Sequence, residues 1–295
     1  MCLDSGKGAT TKDKVTVISE LRQNYPLKDL LLLAKITKGT YYYNLNRLKC
    51  PDKYELIKEE IKRIFTAHSG RYGYRRIYME LRNEGYVINH KTVYRLMKEL
   101  NLSSMVRIKK YRSYKGEVGR IANNLINRDF KASAPNQKWT TDITEFSLAG
   151  EKLYLSPILD MYNGEIISYK LCRHPNLLQV LDMLDDAFSK LPDNTNLILH
   201  SDQGWQYQNK RYQEKLKQKG VRQSMSRKGN CLDNSIMESF FGVLKSELLY
   251  MKKYPSMEEF EQDLIIYIDY YNNQRIKSKL NGMSPVQFRE FKWAA

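Results

Sequence analysis

Residues 137–146 read QKWTTDITEF, and two further apolar-rich runs follow, KLYLSPILD at 152–160 and EIISYKL at 165–171. Each run has the length and the β-branched and aromatic content of a strand. The connections contain Ala-Gly at 149–150 and Asn-Gly at 163–164, which are typical of tight hairpin turns. The three runs therefore predict three consecutive antiparallel strands.

The rest of the C-terminal half alternates between helical and strand-like patterns. The elements predicted after the three strands are, in order, helix 176–190, strand 196–200, helix 208–218, strand 221–223, helix 234–250 and helix 257–271. Three antiparallel strands followed by this alternation predict an α/β fold with a mixed sheet and flanking helices, which is the element order of a ribonuclease-H-like core.

The region upstream of the sheet is predicted to be all-α. Residues 32–45 read LLAKITKGTYYYNL, in which a polar turn with Thr37 and Gly39 precedes an aromatic helix beginning at Thr40. This pattern fits a helix-turn-helix module, or equally an ordinary helical hairpin. An amphipathic helix follows at 54–66.

A second helix-turn-helix pattern ends in a helix from about residue 90 to residue 100. Lys91, Arg95 and Lys98 point outward at helical spacing on this helix, while apolar residues face the opposite side. The basic face is expected either to read DNA in the major groove or to be a solvated helix face.

The charge balance points to a polyanionic partner. The chain has 295 residues, with 49 Lys and Arg against 33 Asp and Glu, and a net charge of +16. Such a charge favours nucleic acid, because neutralised phosphates release counterions. Lys109 and Lys110 lie in a basic stretch, 101–120, with tyrosines interleaved. It is predicted to follow DNA phosphates, or to be a solvated tether.

Other classes of protein are disfavoured. Cys2, Cys50, Cys172 and Cys231 are far apart, so neither a zinc site nor a disulfide framework is expected. The sequence contains no apolar run of about 18 residues and no secretory signal pattern. We therefore expect no membrane partner and a cytoplasmic protein.

Three acids have the sequence context of catalytic residues. Asp142 is predicted within the first strand, Asp202 follows the buried strand 196–200, and Glu238 lies in the first turns of a helix that Asp233 is expected to cap. Any one of them alone is more often structural. Together, their oxygen ligands suit two Mg²⁺ ions, for which Mn²⁺ can substitute, acting on a phosphodiester.

Basic and aromatic residues accompany the three acids. Lys245 is predicted to share a helix face with Glu238, where a cation would contact a DNA phosphate. Arg227 and Lys228 lie in the loop 224–230, which is predicted to contact DNA or to be a plain connector. Three aromatic residues are candidates for stacking on bases or for the core, namely Trp139, Trp205 and Tyr207.

Several segments together resemble a known family. They are QKWTTDIT at 137–144, HSDQGWQY at 200–207, SMSRKGNCLDNSIMESFF at 224–241, YYNNQRIKSKLNGMSPVQF at 270–288 and HSGRYGYRRI at 68–77. In this order they resemble OrfB-type insertion-sequence transposases of the IS3 family, which belong to the retroviral-integrase-like DDE group. This resemblance implies a bacterial, nucleoid-associated protein. The resemblance covers residues 28–292.

This resemblance implies a ribonuclease-H-like integrase catalytic core with a Mg²⁺-dependent triad at Asp142, Asp202 and Glu238, and with Lys245 as the family's basic residue. It implies a DNA transposase that cleaves DNA strands at insertion-sequence ends and joins the 3′-OH to target DNA, in DNA integration and recombination. An inert DNA-binding regulator and a nuclease without strand transfer are the alternatives.

The patterns also predict the domains and partners. We expect a helix-turn-helix-like segment at 1–50, a DNA-binding helix-turn-helix-like module at 51–103, a basic linker at 104–132 and the catalytic domain at 133–295. The expected partners are double-stranded DNA, comprising the element's terminal repeats and the target, and further copies of the chain on that DNA. Since the chain has no sustained heptads, an upstream-frame product or a frameshift fusion is a further expected partner.

Overall fold

The computed structural model describes residues 10–105, 121–148, 150–192, 195–227 and 231–293. The chain divides into two compact units, Met1–Lys62 and Arg63–Ala295. Lys109, Lys110 and Lys228, which the sequence predicts as DNA contacts, lie outside the described residues. Within the described segments, no helix is both long enough and apolar enough to span a membrane.

Three short helices open the first unit: α1 Thr11–Leu21, α2 Leu27–Ala34 and α3 Lys38–Lys49. Their apolar faces form one small core, which contains Val15, Ile18, Leu30, Leu31 and Tyr41. The chain turns after α2 at Lys35, and the Thr37 side chain then accepts a hydrogen bond of 3.1 Å from the Thr40 amide. The sequence predicted that this helix begins at Thr40. Because Thr37 caps α3, the helix instead begins at Lys38.

Three more helices follow: α4 Glu55–Ala67, α5 Tyr74–Asn83 and α6 His90–Glu99. Helices α5 and α6 contact each other, and the apolar residues on their facing sides are buried. The Asn89 side chain accepts a hydrogen bond of 2.8 Å from the Lys91 amide and so fixes the start of α6. The helix predicted over 90–100 is confirmed, and Lys91, Arg95 and Lys98 are exposed on it.

The second unit contains one six-stranded sheet. Its strands are β1 Lys138–Thr141, β2 Thr144–Leu148, β3 Glu151–Asp160, β4 Ile166–Cys172, β5 Ile198–Ser201 and β6 Arg222–Met225. Strand β3 pairs antiparallel with β1, β2 and β4, whereas β5 is parallel to β1 and β6 is parallel to β5. The predicted hairpins and the predicted mixed sheet are therefore confirmed.

Helices cover the sheet. They are α7 Leu177–Phe188, α8 Lys210–Lys219, α9 Ser235–Leu244, α10 Met257–Asn273 and α11 Pro285–Trp293. One core forms between the sheet, α7 and α8 and includes Ile158. The other forms between the sheet, α9 and α10 and includes Leu159. Since consecutive strand residues point to opposite faces, the two cores lie on opposite faces of the sheet.

The helix predicted over 234–250 is three elements in the structure. A 3₁₀ turn at Cys231–Asn234 leads into α9, and a π-helical turn follows at Lys245–Leu249. The amide of Tyr250 donates to the carbonyl of Lys245 at 3.0 Å, five residues back. Such π-helical turns often occur at functional sites.

Candidate active site

Asp142 lies in a gap between β1 and β2, so its predicted place inside one continuous strand is wrong. Both strands pair with β3 in a single register, Thr141 with Ile158 and Thr144 with Leu155. Extending this register places Pro157 opposite Asp142. Proline has no amide hydrogen to donate to the ladder, so the pairing opens at this position.

Local hydrogen bonds stabilise the gap. The Thr141 hydroxyl donates to the Pro157 carbonyl at 2.9 Å, and the Asp142 carboxylate accepts from the Ile143 amide at 2.7 Å. Asp142 is half-buried. Because the ladder is open at this position, its carboxylate is not enclosed within a continuous pair of strands.

Asp202 follows β5, at the carboxyl end of the strand adjacent to β1. The parallel pairs Trp139–Leu199 and Thr140–His200, continued for two residues, set Asp202 opposite Asp142. Adjacent strands are about 4.8 Å apart, so the two acids are neighbours across the sheet. The carboxyl end of a parallel strand is where ligand sites form in such sheets.

The turn after Asp202 depends on a glycine. The Gly204 amide donates to the Asp202 carboxylate at 2.8 Å. A Cβ atom on Gly204 would lie 2.5 Å from the Gln206 side-chain nitrogen and 3.0 Å from an Asp202 carboxylate oxygen. A larger residue at position 204 would therefore press on the carboxylate itself.

Asn234 connects the third acid to the strand that leads to the first. Its amide nitrogen donates to Asp142 at 3.3 Å, and its amide oxygen accepts from the buried Thr140 hydroxyl at 2.7 Å. Glu238 lies one turn later, in the first turn of α9. The start of the helix that carries Glu238 is thus fixed against β1. The sequence alone did not reveal this link.

The acids perturb one another electrostatically. Burial raises the pKa of Asp142 well above its ordinary value, and the negative charges of Asp202 and Glu238 raise it further, while the Lys245 charge opposes them. Burial also raises the pKa of Asp202, against the hydrogen bond from Gly204. The protein therefore assembles negative charge here at a free-energy cost, as sites for cations do.

No preformed metal cage is present in the part of the chain that the structure describes. There, no three His, Cys, Asp or Glu side chains are grouped closely enough to hold an ion. Like-charged carboxylates repel one another, and a bound cation would offset this repulsion. The all-oxygen donors at Asp142, Asp202 and Glu238 fit a hard divalent ion such as Mg²⁺.

Lys245 begins the π-helical turn at the end of α9. Its ammonium group lies 5.5 Å from the centre of the Phe146 ring, on the strand that follows the gap at Asp142. Its charge also contributes to lowering the pKa of Glu145, after the hydrogen bond from Tyr154 and the contribution of Lys152. The cation therefore lies beside β2, close to the strand that follows Asp142.

Arg227 has a partner that the sequence did not indicate. Its guanidinium binds both carboxylate oxygens of the buried Asp233, each at 2.8 Å, and Arg128 binds the same acid at 3.1 Å. The hydrogen bond from Arg227 holds the pKa of Asp233 below its usual range. The predicted cap at Asp233 is wrong, because Asn234 precedes α9 and the Asp233 carboxylate is engaged by the arginines.

Residues 121–128, within the predicted linker, lie along β6. The Leu125 amide donates to the Ser224 hydroxyl at 2.9 Å, and the Asn124 side chain donates to Asp233 at 3.1 Å. Ser224 in β6 and Asp233 in the 3₁₀ turn before α9 are therefore both attached to this segment. The arrangement ties the chain entering the sheet to the turn that precedes the Glu238 helix.

The remaining predicted contacts separate into two groups. Trp139 and Tyr207 have no exposed surface and belong to the core, so of the three candidate stacking residues only Trp205, 58% exposed, is available to a base. The second group is on helix α6 and consists of Lys91, Arg95 and Lys98. Arg95 forms an ion pair with Glu99. These three cations are candidates for binding DNA through α6.

Comparison with known families agrees with this architecture. Family models described as integrase core domain match residues 132–231 and 238–292, and one described as HTH-like domain matches 51–111. The catalytic core domain of HTLV-2 integrase, solved in complex with magnesium, matches 53% of the chain and 98% of that domain, with 17% identity and a TM-score of 0.41.

Curated relatives match nearly the whole chain. It is 52% identical over 273 residues to the InsK protein of insertion sequence element IS150 from Escherichia coli K12, covering 92% of the chain and 96% of the relative. It is 36% identical to the InsF transposase of IS3A from the same strain, covering 93% and 98%. The IS904 transposase of Lactococcus lactis is 38% identical, covering 80% and 94%. The chain therefore belongs to the IS3-family insertion-sequence transposases, polynucleotidyl transferases with an integrase core that act in DNA transposition.

Proposed function

We propose that Asp142, Asp202 and Glu238 are the DDE triad of this transposase and hold two Mg²⁺ ions, which Mn²⁺ can replace. The observation that carries the proposal is that the parallel register of β1 and β5, continued past the end of each strand, sets Asp142 opposite Asp202. Asn234 ties the start of the Glu238 helix to β1 and to Asp142. Bound ions would polarise the scissile phosphate and activate the attacking hydroxyl or water.

The chain's own residues supply orientation and charge. The carboxylates of Asp142 and Asp202 present oxygen ligands from fixed backbone positions, and Asn234 directs one oxygen of Asp142. Lys245 brings a cation to the edge of the site, where it would bind a phosphate of the DNA strand. The first reaction would release a 3′-OH at the element's end, and the second would join it to target DNA.

DNA would also be bound outside the acidic site. We infer that the helix-turn-helix-like module at 51–103 binds the terminal repeats through the exposed cations of α6, with the basic linker at 104–132 joining it to the catalytic domain at 133–295. Lys109, Lys110 and Lys228 would add phosphate contacts. A reduced salt dependence of end-binding in a Lys91→Ala, Lys98→Ala double variant tests the role of α6.

Assembly on DNA is part of the proposal. Further copies of the chain would pair the two element ends, with an upstream-frame product or fusion completing the recognition of the repeats. Light scattering on end DNA, with and without the upstream product, tests this. Equal assembly and end-binding in both samples would refute the need for the upstream product.

The chemical proposal is tested with labelled linear DNA that carries the element's own ends, in Mg²⁺ and in EDTA. Wild-type protein should nick the end and form joined products only with the metal. Asp142→Asn, Asp202→Asn and Glu238→Gln should each abolish both reactions while retaining end-binding, and Asp182→Asn on the exposed side of α7 is the matched control. Strand joining by any triad variant would refute the assignment.

A further inference from the structure

The segment HSGRYGYRRI at 68–77 contains three arginines whose surroundings differ. Arg75 is exposed. Arg71 and Arg76 are half-buried, and both contact Glu247 in the π-helical turn after α9. In a chain of this charge, all three would be expected to bind DNA phosphates. The structure gives two of them other partners.

Arg71 contacts the π-helical turn that follows α9. Its guanidinium nitrogen donates to the backbone carbonyl of Glu247 at 3.0 Å, and the group lies over the rings of Tyr270 and Tyr267 at 5.0 and 5.6 Å. Carbonyls at the end of a helix have lost their intrahelical partners, and a cation there is a favourable cap. Arg71 therefore caps the end of the helix that carries Glu238 and Lys245.

Arg76 contacts the side chain of the same glutamate. Glu247 is only 3% exposed, and its carboxylate binds Arg275 through two hydrogen bonds of 2.7 and 2.6 Å. Tyr267 donates a further bond at 3.0 Å, and Arg76 lies 3.3 Å away. A buried carboxylate with this many donors has one well-defined position. The π-helical turn is thus fixed through both its backbone and its side chain.

We propose that Arg71 and Arg76 are positioning residues: they fix the π-helical turn Lys245–Leu249, and with it Lys245, instead of contacting DNA. The inference rests on the proposed role of Lys245 at the active site. Because Arg71 lies just before α5 and Arg76 lies in its first turn, the seating of the helix-turn-helix-like module would set the rate of strand transfer.

The test compares Arg71→Ala and Arg76→Ala with two controls in the same segment. Arg75→Ala removes an equal charge but does not contact the turn. Tyr72→Phe removes bonds between this segment and the residues after α10, the backbone groups of Gln274 and Ile276, without touching the turn. Arg71→Lys keeps a donor and a charge.

Three quantities are measured on the full chain: hydrogen exchange of the amides in 245–251, end-binding as a function of salt, and the joining rate at saturating end DNA in Mg²⁺. Arg71→Ala should speed exchange in the turn and slow joining by about tenfold, or about 1.4 kcal/mol at the transition state. Its end-binding and salt slope should match the wild type, Arg71→Lys should recover most of the rate, and both controls should leave exchange in the turn unchanged.

Two results would overturn the inference. Weaker end-binding with a salt slope reduced by about one, and an unchanged joining rate at saturation, would make Arg71 a phosphate contact. If Tyr72→Phe changed exchange and joining as much as Arg71→Ala does, and Arg71→Lys recovered none of the rate, the Arg71 contact would contribute only to the general stability of the fold. A wild-type chain that joins no strands would refute the proposed chemistry alone, since the exchange measurement still decides whether the arginines hold the turn.

Discussion

Removing the charge of Asp202 should stabilise the folded chain while it abolishes strand transfer. Continuing the register of β1 and β5 sets Asp202, just after β5, opposite Asp142, and the side-chain amide oxygen of an asparagine can still accept the bond from Gly204. Two unit charges about 5 Å apart repel by about 3 kcal/mol at an effective dielectric constant of about 20. Since both side chains are partly exposed, we expect Asp202→Asn to raise the free energy of unfolding by about 1–3 kcal/mol.

Thermal unfolding followed by circular dichroism in EDTA at neutral pH measures this effect. The expected gain raises Tm by roughly 2–12 °C for a unit of this size. Asp182→Asn on α7 is the control, because it adds the same increment to the net positive charge at an exposed position. Mg²⁺ should raise the Tm of the wild type and of the control. It should raise the Tm of Asp202→Asn much less.

The sign of the pH dependence follows from the shifted pKa values. The pKa of Asp142 and the pKa of Asp202 are raised in the folded chain, mainly by burial. The folded state therefore binds more protons than the unfolded state as the pH falls through the raised values, and the repulsion disappears. The Tm advantage of Asp202→Asn should be full at neutral pH and shrink on acidification. A Tm at or below that of the wild type at neutral pH would refute the reasoning.

Three further variants probe the surroundings of the acids. Asn234→Ala leaves the buried Thr140 hydroxyl without its acceptor and should lower the free energy of unfolding in urea by about 1–3 kcal/mol; a change no larger than that of a surface substitution would contradict the link. Gly204→Ala should reduce the rise in Tm caused by Mg²⁺ by more than it lowers the Tm in EDTA, because the new Cβ atom would press on the Asp202 carboxylate. Equal losses in the two values of Tm would contradict this. Arg227→Ala should lower the free energy of unfolding at neutral pH, and this loss should shrink as acid protonates Asp233. If stability is unchanged and the salt slope of DNA binding falls by about one, Arg227 is instead a phosphate contact.

The sheet and the positions of the acids could be predicted because their signals are local. Hairpin turns fix the neighbours of β3, and the short apolar run before Asp202 identifies a buried strand by length and flanking residues. The gap at Asp142 has a different origin. Pro157 opens the ladder from the neighbouring strand, and only the register of the pair shows which residue it faces.

Side-chain partners were harder to predict than elements. Asp233 has the composition and place of a helix cap, so local preference favoured that reading. The structure instead gives its carboxylate to Arg227 and Arg128, because bidentate contact with a guanidinium is stronger than one bond to a backbone amide. The end of α9 shows the same limit. Apolar spacing continues beyond Leu244, but the π-helical turn there is held by residues distant in sequence.

The direction of the pKa shift separates two kinds of acid around α9. Arginines bind the carboxylates of Asp233 and Glu247, and the pKa of each is lowered although burial opposes this for both. Burial and neighbouring carboxylates act on Asp142 instead, and its pKa is raised. Arginines thus bind the acids that hold the helix in place, whereas at Asp142 the charge of Lys245 opposes the effects of burial and of the neighbouring carboxylates but does not cancel them. A divalent cation would offset the negative charge that these carboxylates share, which is the physical reason for the proposal that metal ions complete this site.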